Sequence, residues 1–325
     1  MYDFTVLVLR GAFASSVAAT LDMLATAARL APRLGVAAPR WRVCSVDGGP
    51  MPLANGCAVA TTRLPARPRE DRSAWVVPGL GLDGAAAVRG RMADADFVAS
   101  ARALARHARA GGRVAASCSA VFLLASAGLL SGRRATTSWW YAPLLARLAE
   151  GCTVDADRMV CADGPVVTGG AAMAQADLML HLLREHSGGP LADAVARVLL
   201  IDARQAQAPF IVPEVLANGD DLVLRITARV EAGLPAMPSV GRLAGDFCMS
   251  ARTLARRVRR ATGRSPVALL QSIRLRRARA LLEASRMTVE QVAEAVGYRD
   301  ATALRRLMRK VAGASPSRYR PSPAG

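Results

Sequence analysis

The chain has 325 residues, enough for two domains with cores of their own at about 100–200 residues each. Half of it is apolar (52%), with alanine supplying much of that, aromatics are scarce (4%), and its net charge is +18. Six cysteines (Cys44, Cys57, Cys118, Cys152, Cys161 and Cys248) form no C-x-x-C pair and no regular spacing, which argues against a disulfide framework and against a zinc site.

The first segment, from Tyr2 to Arg10, has an early Asp3 and an apolar run without a basic stretch before it, and it reads as a first strand rather than a leader. Phe4–Leu9, Trp41–Val46, Trp75–Val77 and Arg113–Ala116 read as strands. Helical stretches such as Ala14–Leu30 and Phe97–Ala110 alternate with them. This alternation predicts a doubly wound α/β sheet, with its ligand crevice at strand-end turns such as Val46-Asp-Gly-Gly and Trp75-Val-Val-Pro-Gly.

Val114 to Gly132 is uncharged and long enough to be compared with a membrane span. Ser117, Ser119, Ser126, Ser131 and Gly128 interrupt it, so a buried strand, a sharp turn and a buried helix describe it better. No membrane partner and a cytoplasmic location are expected, and no cofactor or metal is called for.

Inside that segment, Ala115-Ala-Ser-Cys118-Ser-Ala takes a strand straight into a helix through small residues. It resembles the nucleophile elbow of the class I glutamine amidotransferase-like superfamily, the flavodoxin-like fold of the PfpI-type proteases. The resemblance runs on through Leu124-Ala-Ser-Ala-Gly128, Thr136-Thr-Ser138-Trp139 and Thr168-Gly-Gly170 to Asp177. It implies a pocket around Ser16, Cys118, Ser119, Ser138 and Trp139.

A thiolate at a helix N-terminus is reactive, with a lowered pKa, but hydrolysis also needs a positioned base. The family's histidine positions hold Ser119 and Ser138, and its acidic position holds Ser16, with Asp22 nearby. His107, His181 and His186 fall in helical stretches without a motif. No catalytic residue is assigned, and the domain reads as a degenerate enzyme fold that senses a small nitrogenous effector. Trp139, Trp140 and Tyr141 are either core or part of an aromatic box for a cation. A cysteine-dependent hydrolase or glyoxalase-like enzyme using Cys118 is the alternative, and a redox role for Cys118 stays open.

Residues 206–219, with Pro209, Pro213 and Gly219, read as a linker between an α/β domain at 1–205 and an all-α domain at 220–325. Residues 218–325 carry 21 Arg/Lys against 8 Asp/Glu, a net of +13, while 1–217 carry 22 against 17, a net of +5. The excess at one end is the electrostatic footprint expected for a polyanion partner.

After a helix opening near Asp220, the tail repeats itself at about fifty residues. Leu254, Arg256, Arg259 and Arg260 recur as Leu304, Arg306, Arg309 and Lys310, and Gly263-x-Ser265-Pro266 recurs as Gly313-x-Ser315-Pro316. Leu243-Ala244 recurs as Val292-Ala293, one residue out of step, so the second turn is longer.

Each copy has helix-turn-helix grammar. Ser239 and Ser250 cap the helices of the first copy, and Thr288 and Asp300 those of the second, with Gly297 in its turn. Ser265-Pro266 starts a connecting helix that reaches about Glu283. At about 1.5 Å per residue it spans roughly 28 Å, suited to holding two recognition helices about one DNA turn apart.

Ser239 to Arg320 resembles the AraC/XylS regulators, through Met249-Ser250-x-Arg252-Thr253-Leu254, Thr262-Gly263-x-Ser265-Pro266 and Ser315-Pro316-x-x-Tyr319-Arg320. Regulators that join this tail to an amidotransferase-like domain are known. The resemblance implies a ligand-responsive regulator of double-stranded DNA, commonly an activator working with RNA polymerase, with a homodimer formed through the α/β domain. By helix face, Arg252, Arg256, Thr302 and Arg306 are expected on base edges, and Arg259, Arg260, Arg309 and Lys310 on phosphates. A nucleoid-type binder with little sequence preference is the blander reading of the same charge.

Overall fold

The computed structural model describes residues 2–65, 71–201, 221–312 and 315–316. The chain falls into two compact units, Met1–Arg204 and Gln205–Gly325. The expected linker at 206–219, and the closing motif beyond residue 316, lie outside the described residues.

The first unit is built on strands β1 (Phe4–Leu7), β2 (Trp41–Ser45), β3 (Gly49–Pro52), β4 (Ala58–Arg63), β5 (Ala74–Val77), β6 (Val114–Ser117), β7 (Arg134–Ala135), β8 (Thr153–Val154), β9 (Val160–Asp163) and β10 (Val166–Gly169). Eight of them form one sheet in the order β3-β4-β2-β1-β5-β6-β10-β9, and β7 pairs with β8 apart from it. The sheet is parallel except at its ends, where β3 runs against β4 and β9 against β10.

Helices α1 (Ala14–Leu30), α2 (Gly84–Arg91), α3 (Ala95–Arg109), α4 (Val121–Ser126), α5 (Ala142–Leu148), α6 (Ala174–Ser187) and α7 (Gly189–Val198) complete the unit. This is the doubly wound architecture that the alternation of strands and helices predicts.

Physical chemistry explains which strands could be read in advance. Strands β1, β6 and β10 are buried along their whole length, as strands of a parallel sheet covered on both faces must be. The four expected strands appear as β1, β2, β5 and β6, each differing by a residue or two at its ends. The end strands were not expected. Strand β3, Gly-Pro-Met-Pro, tolerates its prolines because it lies on the sheet edge, where missing donors cost little. The uncharged stretch Val114–Gly132 is strand β6, a tight turn and the buried helix α4, and among the described residues no helix is long and apolar enough to cross a membrane.

The second unit is helical: α8 (Asp221–Gly233), α9 (Val240–Asp246), α10 (Ala251–Thr262), α11 (Pro266–Ala284), α12 (Val289–Ala295) and α13 (Ala301–Ala312). Every expected cap is made. The side chains of Ser239, Ser250, Ser265 and Thr288 accept the N–H groups of Arg242, Thr253, Ala268 and Gln291, and Asp300 accepts that of Ala303. Thr288 and Gln291 complete a reciprocal capping box. Gly263 ends α10 at φ 71°, and Gly297 makes the second turn at φ 80°. Leu275, Ala278 and Leu282 of α11 pack with Val292, Ala293 and Val296 around α12 and with Leu304 and Met308 of α13. Each large side chain so buried contributes about 1.5–3 kcal/mol.

Candidate functional site

Strand β6 ends at Ser117, and the chain reverses at once through Cys118, whose φ is +53°. A non-glycine residue there costs about 1–3 kcal/mol of backbone strain, held in place by the packing around it. Gly79, just past β5, permits the approach: a Cβ on Gly79 would stand 2.8 Å from the Cβ of Cys118. Thr137 donates to the Cys118 carbonyl at 2.6 Å, and the Ser138 hydroxyl donates to its sulfur at 2.9 Å.

The sulfur is enclosed, with Cys118 only 2% exposed. Burial pushes its thiol pKa up, against the hydrogen bonds from Ser138, from Ser119 and from the backbone of Ala172. The expectation that a helix N-terminus lowers this pKa is therefore corrected: desolvation of the buried thiol is the largest cause, and it raises the pKa.

The other expected pocket residues lie around the elbow and are buried. Ser16 is buried, and its hydroxyl donates to the Ala172 carbonyl at 3.0 Å. Ser119 also ties the elbow to the neighbouring segment, accepting from the Leu80 N–H at 2.9 Å and donating to the Leu80 carbonyl at 2.7 Å. Trp139 and Tyr141 are buried, Trp140 stands edge-on to Trp139, and the Tyr141 hydroxyl donates to Leu82. These aromatic rings pack against one another as core does.

No histidine attends the thiol. His107 stacks on Trp75, His181 pairs with Glu185, and His186 pairs with Asp3, while Asp22 is exposed on α1. Among the described residues no cluster of three or more His, Cys, Asp or Glu could hold a metal ion.

Beside the elbow, beyond the segment that carries Gly79 and Leu80, lies a cavity of about 510 Å³ lined by Phe13, Ala14, Asn55, Gly81, Leu82 and Asp83. It opens at the turn following β5, where the sequence pointed to a crevice, yet it contains none of the five expected pocket residues. Phe13 and Asp83 had no motif to mark them. Each is the residue immediately before a helix, and only the fold brings them together.

In the second unit, Leu254 and Val258 of α10 are fully buried, while Arg252, Arg256, Arg259 and Arg260 are exposed on the opposite side. Helix α13 repeats the arrangement, with Leu304 and Met308 inside and Thr302, Arg306 and Arg309 exposed. Lys310 continues α13, and its side chain lies outside the described residues. At 3.6 residues per turn, spacings of four and seven keep each exposed set on one stripe.

Neighbouring charges are used within the protein. Arg305 donates to Glu290 at 2.8 Å, and that contact, with the helix-end backbone foremost, lowers the Glu290 pKa. Arg274 donates to the carbonyls of Val296 and Gly297 and lies 3.7 Å above the Tyr298 ring, closing the second turn. The sequence reading missed this arginine because its partners lie in a turn more than twenty positions away in sequence.

Comparison with known proteins agrees with both units. The DJ-1/PfpI family matches residues 43–185, and a helix-turn-helix domain family matches residues 243–322. The transcriptional regulator CdhR of Pseudomonas aeruginosa is 27% identical over 321 residues, covering 98% of this chain and 91% of that protein. The regulator GlxA of Rhizobium meliloti is 31% identical over 210 residues; the match takes in 63% of this chain and 64% of that protein. The solved structure of an AraC family transcriptional regulator from Pseudomonas putida covers 61% of this chain and all of its own, with a TM-score of 0.51 at 20% identity, a likeness of fold.

Proposed function

Since the chain belongs to the AraC-type helix-turn-helix transcription regulators that carry a DJ-1/PfpI domain, we propose that two recognition helices read successive major grooves while the α/β unit senses an effector. The observation that carries the DNA-reading half is the pair of exposed basic stripes on α10 and α13, each backed by a buried apolar face. Arg252 and Arg256 reach base edges in one half-site, and Thr302 and Arg306 do so in the other. Arg259, Arg260, Arg309 and Lys310 hold phosphates. The regulator works in the cytoplasm as an activator alongside RNA polymerase, and its α/β unit supports a homodimer.

The α/β unit is a sensor rather than an enzyme. Among the described residues the buried thiol has a serine beside it where a base would be needed. Ser16, Cys118, Ser119, Ser138 and Trp139 form the elbow side of the sensing site. The effector occupies the neighbouring cavity, where the Phe13 ring and the Asp83 carboxylate suit a small cationic nitrogen compound with an apolar body.

Gel-shift titration of fragments from the gene's own surroundings tests the DNA reading. A salt-sensitive, sequence-selective shift is expected. Unchanged mobility of every fragment at low salt would sink it. A thermal-shift screen of amines, amino acids and betaines tests the sensor, with the response expected to vanish in Phe13→Ala and Asp83→Asn. Turnover of an amide or aldehyde that disappears in Cys118→Ser would instead support the enzyme reading.

A further inference from the structure

A helix-turn-helix unit needs two helices, and α9–α10 and α12–α13 supply them twice. Helix α8 belongs to neither unit, yet its side chains reach the first unit and the connecting helix, and the backbone just beyond it reaches the second. Leu222, Val223, Ile226 and Val230 are at most 4% exposed, so α8 is packed into the unit as firmly as the helices that read DNA.

Its charged side chains are as specific. The Arg225 guanidinium lies 5.3 Å above the ring of Phe247 in the first turn. Arg229 Nε stands 3.0 Å from the carboxylate of Asp246, the last residue of α9. Glu231 pairs with Arg276 of the connecting helix α11. Just beyond α8, the Pro235 carbonyl lies so close to Gly297 in the second turn that a side chain there would collide with it. Arg225 and Arg229 are basic residues in a DNA-binding unit, yet they face a ring and a carboxylate of the protein.

Helix α11 is one link between the two readers, packed on α12 and α13 and bonded through Arg274 to the second turn. Helix α8 closes a second connection, from the first turn to α11 and on to the second turn. We propose that α8 is a brace that fixes the separation and rotation of the two recognition helices, with Arg229 and Glu231 as positioning residues that make the regulator intolerant of altered half-site spacing. One base pair inserted between half-sites shifts the second by about 3.4 Å and turns it by about 35° around the duplex. A braced pair of readers cannot follow that change. The inference rests on the DNA-binding reading above.

The test uses the full chain and the duplex it selects from a random-sequence library, together with versions carrying one base pair more or fewer between the half-sites. The unaltered chain binds the selected spacing well and both altered spacings poorly. Arg229→Gln combined with Glu231→Gln leaves the net charge unchanged, so the general attraction to phosphate is preserved. In this variant the preference for the selected spacing narrows by about three- to fivefold, the contribution that half-exposed ion pairs can make. Arg229→Asp weakens that preference, and adding Asp246→Arg restores it with the pair reversed.

An equal loss of affinity at all three spacings would reduce α8 to a stabilising element and overturn the proposal. An unchanged preference in the double glutamine variant would overturn it too. Failure of the unaltered chain to enrich any duplex sinks the DNA reading, and the brace falls with it.

Discussion

The hydroxyl of Ser138 donates to the sulfur of Cys118 at 2.9 Å, where an activated nucleophile would need a base. Serine cannot take the thiol proton near neutral pH, and burial raises the thiol pKa above its ordinary 9.0. For an acid, a raised pKa means that the anion appears only as pH climbs past that value. Iodoacetamide should therefore label exposed Cys57 and Cys248 first at pH 7.5, with Cys118 at least about tenfold slower. Its labelling should still be rising above pH 9. Mass mapping of the alkylated peptides checks this, and Cys118 reacting first at pH 7.5 would refute the buried-thiol account.

Much of the second unit was legible in sequence because its signals are local. Ser250 caps the helix it precedes, and its partner Thr253 is three residues away. The same holds for Thr288 and Gln291. The elbow was legible as a motif, but its closure was not. Ser119 bonds Leu80, thirty-nine positions distant in sequence, and no periodicity announces such a contact. The brace through Glu231 and Arg276 spans forty-five positions and was missed for the same reason. Desolvation of Cys118 depends on the whole packed layer around it, so the sequence exposed the residue type without its reactivity.

Asp71 should make the first unit acid-sensitive. Burial by itself raises the pKa of this carboxyl, but the Ser73 N–H, the Trp75 indole, the Ser73 hydroxyl and Arg42 together hold it below its ordinary 3.8. The unfolded chain takes up the proton first as pH falls. The stabilisation is thus complete above about 3.8 and is lost as pH drops through the lower, folded value. Asp71→Asn should cost about 1–3 kcal/mol at pH 7, with the gap shrinking toward pH 3. Urea unfolding at both pH values measures it, and a gap of the same size at pH 3 would remove the carboxylate from the explanation.

Glycines in the second unit should respond oppositely to alanine. Gly297 holds φ at 80°, and an added Cβ would strike the Pro235 carbonyl, so Gly297→Ala should destabilise the unit by about 2 kcal/mol or more. Gly245 lies in α9, and nothing stands within 4 Å of the place its Cβ would take. Gly245→Ala should be neutral or stabilise by up to about 1 kcal/mol, through the better helix propensity of alanine. Thermal melts of the two variants separate steric need from chance, and equal losses would contradict the difference in packing.

The two recognition helices should fail separately. Arg256 and Arg306 occupy equivalent places on α10 and α13, exposed above buried Leu254 and Leu304. Replacing either by alanine should cost about 1–3 kcal/mol, with specificity relaxed in one half-site only. Arg260 lies toward the edge of its stripe, and Arg260→Ala should weaken all sequences alike while reducing the slope of log affinity against log salt by about 0.9. Titrations on the selected duplex and on single-base variants, at several salt concentrations, distinguish these cases. If Arg256→Ala and Arg306→Ala lowered affinity without changing base preference, both arginines would move from base readers to phosphate contacts, and the assignment of α10 and α13 to different half-sites would lose its support.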